Sequence, residues 1–120
     1  MNIPVYRSKM IDSDGYVIGF FHSRKWDGET RTEYYITYES LEWEIDPTTL
    51  AIHFPDMLDS QGNKIFASLS EDGKGGDIMK DDEYYGIAKY KDSRFVVEYE
   101  NVEECLYEGN FEVIGIQEWE

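Results

Sequence analysis

The sequence predicts a mainly β fold: a small single domain, residues 1–120, in which short antiparallel strands form a partly open barrel or sandwich with one short helix. Three observations carry this prediction. Apolar and polar residues alternate along most of the chain, as they do in a strand with one buried face. Turn-forming dipeptides interrupt these runs at short intervals. Aromatic residues make up 16% of the 120 residues, and aromatic rings favour pleated, half-buried surfaces where they pack across strands.

Taken in order, the first strand candidates are Val5 to Met10 and Tyr16 to His22. Asp14-Gly15, a hairpin-type dipeptide, leads straight into the second. A second such dipeptide, Asp27-Gly28, precedes Thr32 to Tyr38. Leu41, Trp43 and Ile45 then alternate with Glu42 and Glu44, and Asp46-Pro47 imposes an extended residue followed by a turn. Leu50, Ile52 and Phe54 alternate with Ala51 and His53, which places His53 on the polar phase of its strand. Gln61-Gly62-Asn63 reads as a tight reversal before a strand over Lys64 to Leu69. Ser68 to Gly76 is a nine-residue glycine-rich loop, too short to separate domains. Strands over Asp77 to Lys80, Tyr84 to Tyr90 and Arg94 to Tyr99 follow. The short helix is expected near residues 102–108, where Asn101 caps, Glu104 answers it three residues on and Gly109 closes. A last strand runs from Asn110 to Gln117. Strands this closely spaced favour a sandwich or barrel over βαβ units.

Charge narrows the function classes. Twenty-six acidic residues against 11 basic ones give a formal net charge of −15, and beyond Ser93 eight glutamates face only Arg94. Such a surface repels phosphates and anionic membranes and attracts basic partners, so direct binding of nucleic acid or membrane is not expected. Cys105 is the single cysteine, which leaves no intrachain disulfide framework and suits a reducing compartment. Arg7 and Lys9 interrupt the apolar character of residues 1–10, which therefore lack a signal-peptide pattern, and no run of 18 apolar residues occurs. A cytoplasmic location is the expectation.

Several blocks, in order, carry a family likeness. Tyr6-Arg7 opens the chain, followed by Asp14-Gly15-Tyr16-Val17-Ile18-Gly19 and Ile45-Asp46-Pro47-Thr48-Thr49. Next come Asp59-Ser60-Gln61-Gly62-Asn63-Lys64-Ile65-Phe66, Gly76-Asp77-Ile78-Met79-Lys80 and finally Glu112-Val113-Ile114-Gly115. In this order the chain resembles the YopX-like proteins of bacteriophages and prophages. The family's uninterrupted I-Y-E-G-D-I block is split here by Ala67 to Gly75, and His53-Phe54-Pro55 stands near the place of its usual Thr-Gly. The resemblance implies a phage or mobile-element origin in a bacterial host and a mainly β fold with a barrel-like part. It implies no chemistry. Its motif positions Gly19, Asp46, Pro47, Gly62, Gly76, Asp77 and Gly115 are explained by turn geometry.

Candidate sites weaken on inspection. Gly73-Lys74-Gly75-Gly76 lacks the Ser/Thr and following helix of a phosphate-binding loop, and a strand beginning at Asp77 follows it instead. Asp12, Asp14 and the run Asp81-Asp82-Glu83 offer oxygens but no EF-hand spacing. His22, His53 and Cys105 are the only acid–base or nucleophile candidates of their kinds, and the carboxylates of Glu103 and Glu104 beside Cys105 oppose thiolate formation. No catalytic residue, cofactor or metal is assigned. The tyrosines of Tyr34-Tyr35, Tyr84-Tyr85 and Tyr90 leave one ring of each adjacent pair facing outward, a composition found in protein interfaces. The expected function is a non-enzymatic protein-interaction module acting through a sheet face or the 68–76 loop, with self-association through edge strands as a further option. The alternative is an acidic decoy, in which glutamates of residues 98–120 imitate nucleic-acid phosphates before a basic DNA- or RNA-binding protein.

Overall fold

In the computed structural model the described residues are 3–25, 32–81, 85–99, 102–105 and 111–117. They form one open, mainly antiparallel sheet of eleven strands. Strand β1 (Val5–Lys9) lies between β2 (Tyr16–Lys25) and β5 (Ala51–His53). The long β2 serves two neighbours in turn. Its first four residues pair with β1, and from Phe20 it pairs with β3 (Thr32–Tyr38), which pairs with β4 (Leu41–Glu44). Gly19 marks the change of neighbour, where a Cβ would overlap the Thr37 carbonyl oxygen. The sheet then curls back on itself. Ile45 bridges Met10, Ile11 N–H donates to Glu44 O at 3.0 Å, and Asp46 N–H donates to Lys9 O at 3.0 Å. This curl is the partly closed, barrel-like portion of the fold.

Asp46 ends the curl by capping the one helical turn among the described residues, a 3-10 turn at Pro47–Thr49. Its Oδ1 accepts the Thr48 N–H at 3.0 Å, and Pro47 occupies a position whose N–H needs no partner. Thr49 is drawn under β1, where its Oγ1 accepts the Lys9 N–H at 2.9 Å and lies 2.7 Å from Ser8 Oγ.

The remaining strands are β6 (Ala67–Ser68), β7 (Asp77–Lys80), β8 (Tyr85–Lys91), β9 (Arg94–Tyr99), β10 (Val102–Cys105) and β11 (Glu112–Ile116). One edge of β8 is shared by β7 and, through the single parallel pair Ser68–Lys89, by β6; β9 and then β10 lie on its other edge, and β11 pairs with β7. Two cores result. A larger one gathers Ile52, Met57, Ile65, Ala67, Met79, Ala88, Phe95, Val97 and Phe111. A smaller one, inside the curl, gathers Ile36, Ile45 and Leu50 with Val17, Phe21 and Tyr34. Tyr6 packs against both.

Three expectations are corrected. The helix expected near 102–108 is not formed at Val102–Cys105, while 106–108 lie outside the described residues. Val102, Glu103, Glu104 and Cys105 lie opposite Tyr99, Glu98, Val97 and Val96, so the β9 edge supplies their backbone partners. Two turns of helix are too short to stand against such pairing on capping signals alone. The strand expected from Lys64 to Leu69 shrinks to Ala67–Ser68, because Ile65 and Phe66 are committed to Met57 and Asp77 instead. His53, expected on a polar face, is 3% exposed. All three residues of β5 are buried, Ile52 in the larger core and His53 against Ile65 O and the Phe66 ring.

Candidate functional site

The sequence-flagged residues do not converge. His53 donates through Nδ1 to Ile65 O at 2.9 Å and rests on the Phe66 ring, 5.3 Å between centroids. Burial pushes its imidazole below the ordinary range, opposed by the Ile65 carbonyl. His22 instead contacts Thr37, Glu42 and Tyr35, and the Cys105 side chain lies outside the described atoms. Among the described residues no three His, Cys, Asp or Glu side chains are grouped to hold a metal ion. Asp12, Asp14 and Asp46 line an open groove with Lys9, and the Asp14 carboxylate lies 3.8 Å from the Lys9 ammonium. Of Asp81, Asp82 and Glu83, only Asp81 is described, and so is only Tyr85 of the pair Tyr84-Tyr85.

The glycine-rich segment is a packed structural plug. Gly73 and Gly75 have φ near +80°, and the Gly73, Gly75 and Gly76 N–H groups donate to Ser70 O, Gln117 O and Gly73 O at 2.8–3.1 Å. These amides are therefore committed within the fold and do not form a phosphate cradle. Cβ atoms at Gly75 and Gly76 would overlap Thr49 O and Ala88 O. Gly73 lies on Ile87 and Lys89, covering the outer side of β8, and the buried Lys89 ammonium donates to Glu71 O and to Glu98 Oε1 at 2.6 Å.

Beneath the plug sits a buried ion pair. Arg7 Nη2 lies 2.8 Å from Asp77 Oδ1 and donates to Gly75 O at 2.8 Å, while Asp77 Oδ2 accepts the Phe66 N–H at 2.8 Å. The guanidinium also lies over the Phe66 ring, 4.6 Å from its centroid. Asp77 is 1% exposed. Its burial raises the carboxyl above the usual range, against the pull of Arg7 and of the Phe66 N–H. Asp77 and Gly76 thus hold two parts of the sheet together, as turn or packing positions. So does Asp59, a neighbour of Gly62. Burial acts to raise its carboxyl but is outweighed by the Val113, Asn63 and Gln61 N–H donors and the Asn63 side chain, so it stays below the usual range.

The surface that is organised but not internal is the outer face of β2–β3–β4. Cross-strand registers Phe20–Thr37, His22–Tyr35, Arg24–Glu33, Thr37–Glu42 and Tyr35–Glu44 place these side chains on one face. Phe21, Tyr34 and Ile36 project to the other face and fill the smaller core. At one end of the outer face Ile18 and Phe20 stand side by side, 45% and 54% exposed. At the other end a polar lattice holds the surface. Glu42 Oε2 receives Arg24 at 3.0 Å and lies 3.2 Å from His22 Nε2, and His22 stacks on Tyr35 at 5.5 Å. Arg24 covers the Tyr35 ring at 4.8 Å, and the Tyr35 hydroxyl donates to Glu33 at 2.9 Å. Partial burial and this Glu33 contact hold the phenol above its ordinary range. The Tyr34-Tyr35 pair marked one ring of this face, whereas nothing in the sequence pattern singled out Ile18 and Phe20, and the lattice depends on a register that no spacing encodes.

No family model, curated protein or solved structure matches the chain.

Proposed function

We propose that the protein is a non-enzymatic interaction module, of the phage or mobile-element kind its motif order resembles, and that it holds a protein partner on the outer face of β2–β3–β4. The observation that carries this reading is the adjacent exposure of Ile18 and Phe20 on a strand whose opposite face is fixed in a core. Two large apolar side chains flanked on one side by a polar lattice have the composition of an interface centre beside its rim. The 68–76 loop serves this reading less well, since its glycines are spent on internal packing.

The decoy reading draws less support. Among the described glutamates of the C-terminal part, Glu98 pairs with Lys89 and Lys91, and Glu103 with Lys91 and Arg94. Glu104 accepts from the Tyr99 hydroxyl at 3.0 Å. Glu98 and Glu103, each paired with cations, make a poor copy of a phosphate row.

The test compares immobilised wild-type protein with Ile18→Glu/Phe20→Glu in host lysate across a salt series. The substituted side chains are exposed, so stability should change by no more than about 0.5 kcal/mol. A partner retained by the wild type at high salt and lost by the variant supports the sheet-face reading. Equal retention by both rejects it, and a basic partner released from both by modest salt returns the decoy reading.

A further inference from the structure

Two parts of the sheet, β1–β5 and β6–β11, meet along a narrow seam. Strands β5 and β6 share only the pairs Ala51–Ser68 and Ile52–Ala67, and β6 joins β8 through one pair. Beside that seam lies a closed cluster in which Arg7, His53, Ile65, Phe66 and Asp77 are all more than nine-tenths buried. Its charges balance as long as the imidazole is neutral, with one guanidinium against one carboxylate 2.8 Å away. The acceptor on Nδ1 is a carbonyl, so that nitrogen carries the single ring proton. Phe66 lies between the two bases, its ring 5.3 Å from His53 and 4.6 Å from the Arg7 guanidinium. Its backbone is bonded twice to Asp77, donating to Oδ2 at 2.8 Å and accepting the Asp77 N–H at 2.9 Å.

We propose that His53 is a proton-operated release for this seam: uptake of one proton there frees the Ile65–Phe66 segment from β5 while β8 and β9 stay paired. A second cation in the cluster meets a single buried anion already engaged by Arg7. Lys64 from the neighbouring loop adds repulsion, which Asp56 and Asp77 oppose. The imidazolium is accommodated by moving outward to water, which breaks its bond to Ile65 O and its contact with Phe66. The β8–β9 ladder has five consecutive pairs, and its own ion pair, Lys89 with Glu98, stays charged as pH falls toward 5, because Lys89 holds the Glu98 carboxyl below its usual range.

The sign follows from linkage. Burial lowers the folded-state affinity of His53 for its proton, so the closed state is fully favoured above the unfolded imidazole value of about 6.5 and loses ground as pH falls below it. Asp77 acts in the opposite sense, because its carboxyl is raised and binds its proton more readily in the closed state. Reading the His53 ring directly separates the two.

The experiment is amide hydrogen exchange by NMR on the full chain from pH 7.5 to 5, corrected for intrinsic rates, with the His53 ring titrated in parallel. Phe66 and Asp77 amides should lose protection in step with protonation of the ring, up to about tenfold per pH unit, while amides of the β8–β9 ladder change far less. His53→Gln should remove that dependence. Equal loss of protection along the whole chain, or an unchanged dependence in His53→Gln, overturns the proposal. If the variant does not fold, a wild-type His53 ring that titrates without change at Phe66 and Asp77 overturns it equally.

Discussion

Glycine does different work at different positions, and the work can be ranked. Gly75 combines φ of +83° with a site where a Cβ would overlap the Thr49 backbone. Gly62 has the same φ but nothing within 4 Å of its added Cβ. Gly115 has neither constraint, since the nearest atom lies 3.9 Å away on Ile78. Alanine at these positions should therefore separate cleanly. Gly115→Ala should stay within about 0.5 kcal/mol of wild type. Gly62→Ala should lose about 1 kcal/mol to left-handed strain. Gly75→Ala adds steric overlap that only displacement of the 3-10 turn relieves, so a loss of about 4 kcal/mol or more is expected. Urea denaturation of the three variants checks the order, and a Gly75→Ala protein as stable as Gly62→Ala would contradict the packing described. Apart from Gly115, the seven motif positions thus conceal two kinds of residue. Gly19, Gly75's neighbour Gly76 and Asp77 answer to contacts across the sheet, whereas Asp46, Pro47 and Gly62 answer to local turn geometry.

At the scale of elements, the hairpins show what a sequence pattern reveals and what it hides. The strand-like runs located β1, β2, β3 and β9 closely, although β1 buries the consecutive residues Arg7 and Ser8, and β9 buries Phe95, Val96 and Val97. Period-two alternation misplaced His53, since all three residues of β5 are buried and a strand of that kind has no polar phase. It also mistook Val102–Cys105 for a helix, because capping signals are local while the β9 edge that captures those residues is not. Two hairpins escaped notice for a different reason. Glu39-Ser40 and Asp92-Ser93 form two-residue turns with φ between +48° and +68° at both positions. They contain neither glycine nor asparagine, the residues that usually announce such turns. These turns carry strain, which leads to a further prediction. Replacing Glu39-Ser40 with Asn-Gly should stabilise the protein by about 1 kcal/mol, and a raised thermal midpoint would show it. The loop leads directly to Tyr38 and Leu41 on the exposed rim of the β3–β4 hairpin, so a stabilised variant also offers a firmer bait for partner capture. An unchanged or lowered midpoint would mean that the present side chains compensate their own strain.

For the whole molecule, the decisive question is what makes two cores behave as one. The strand connection between the β1–β5 and β6–β11 parts of the sheet is thin, and the polar node at Arg7 and Asp77 spans the same gap from β1 to β7. Arginine cannot shed its charge at any ordinary pH, so removing its partner strands a cation beneath the plug. Removing arginine leaves a buried carboxylate that must bind a proton to be tolerated. Each single change, Arg7→Met and Asp77→Asn, should therefore cost about 3–5 kcal/mol, although asparagine retains an acceptor for the Phe66 N–H. The double variant contains neither charge, and its loss should fall short of the summed single losses by about 2 kcal/mol or more. Equilibrium denaturation of the four proteins closes this cycle. Additive losses would show that the pair is not coupled and that apolar contacts alone join the cores. Coupling accompanied by a single cooperative transition in wild type and two separated transitions in a single variant would go further. It would show that this one ion pair, invisible in the sequence because its members stand 70 residues apart, is what makes the curl and the larger core unfold together.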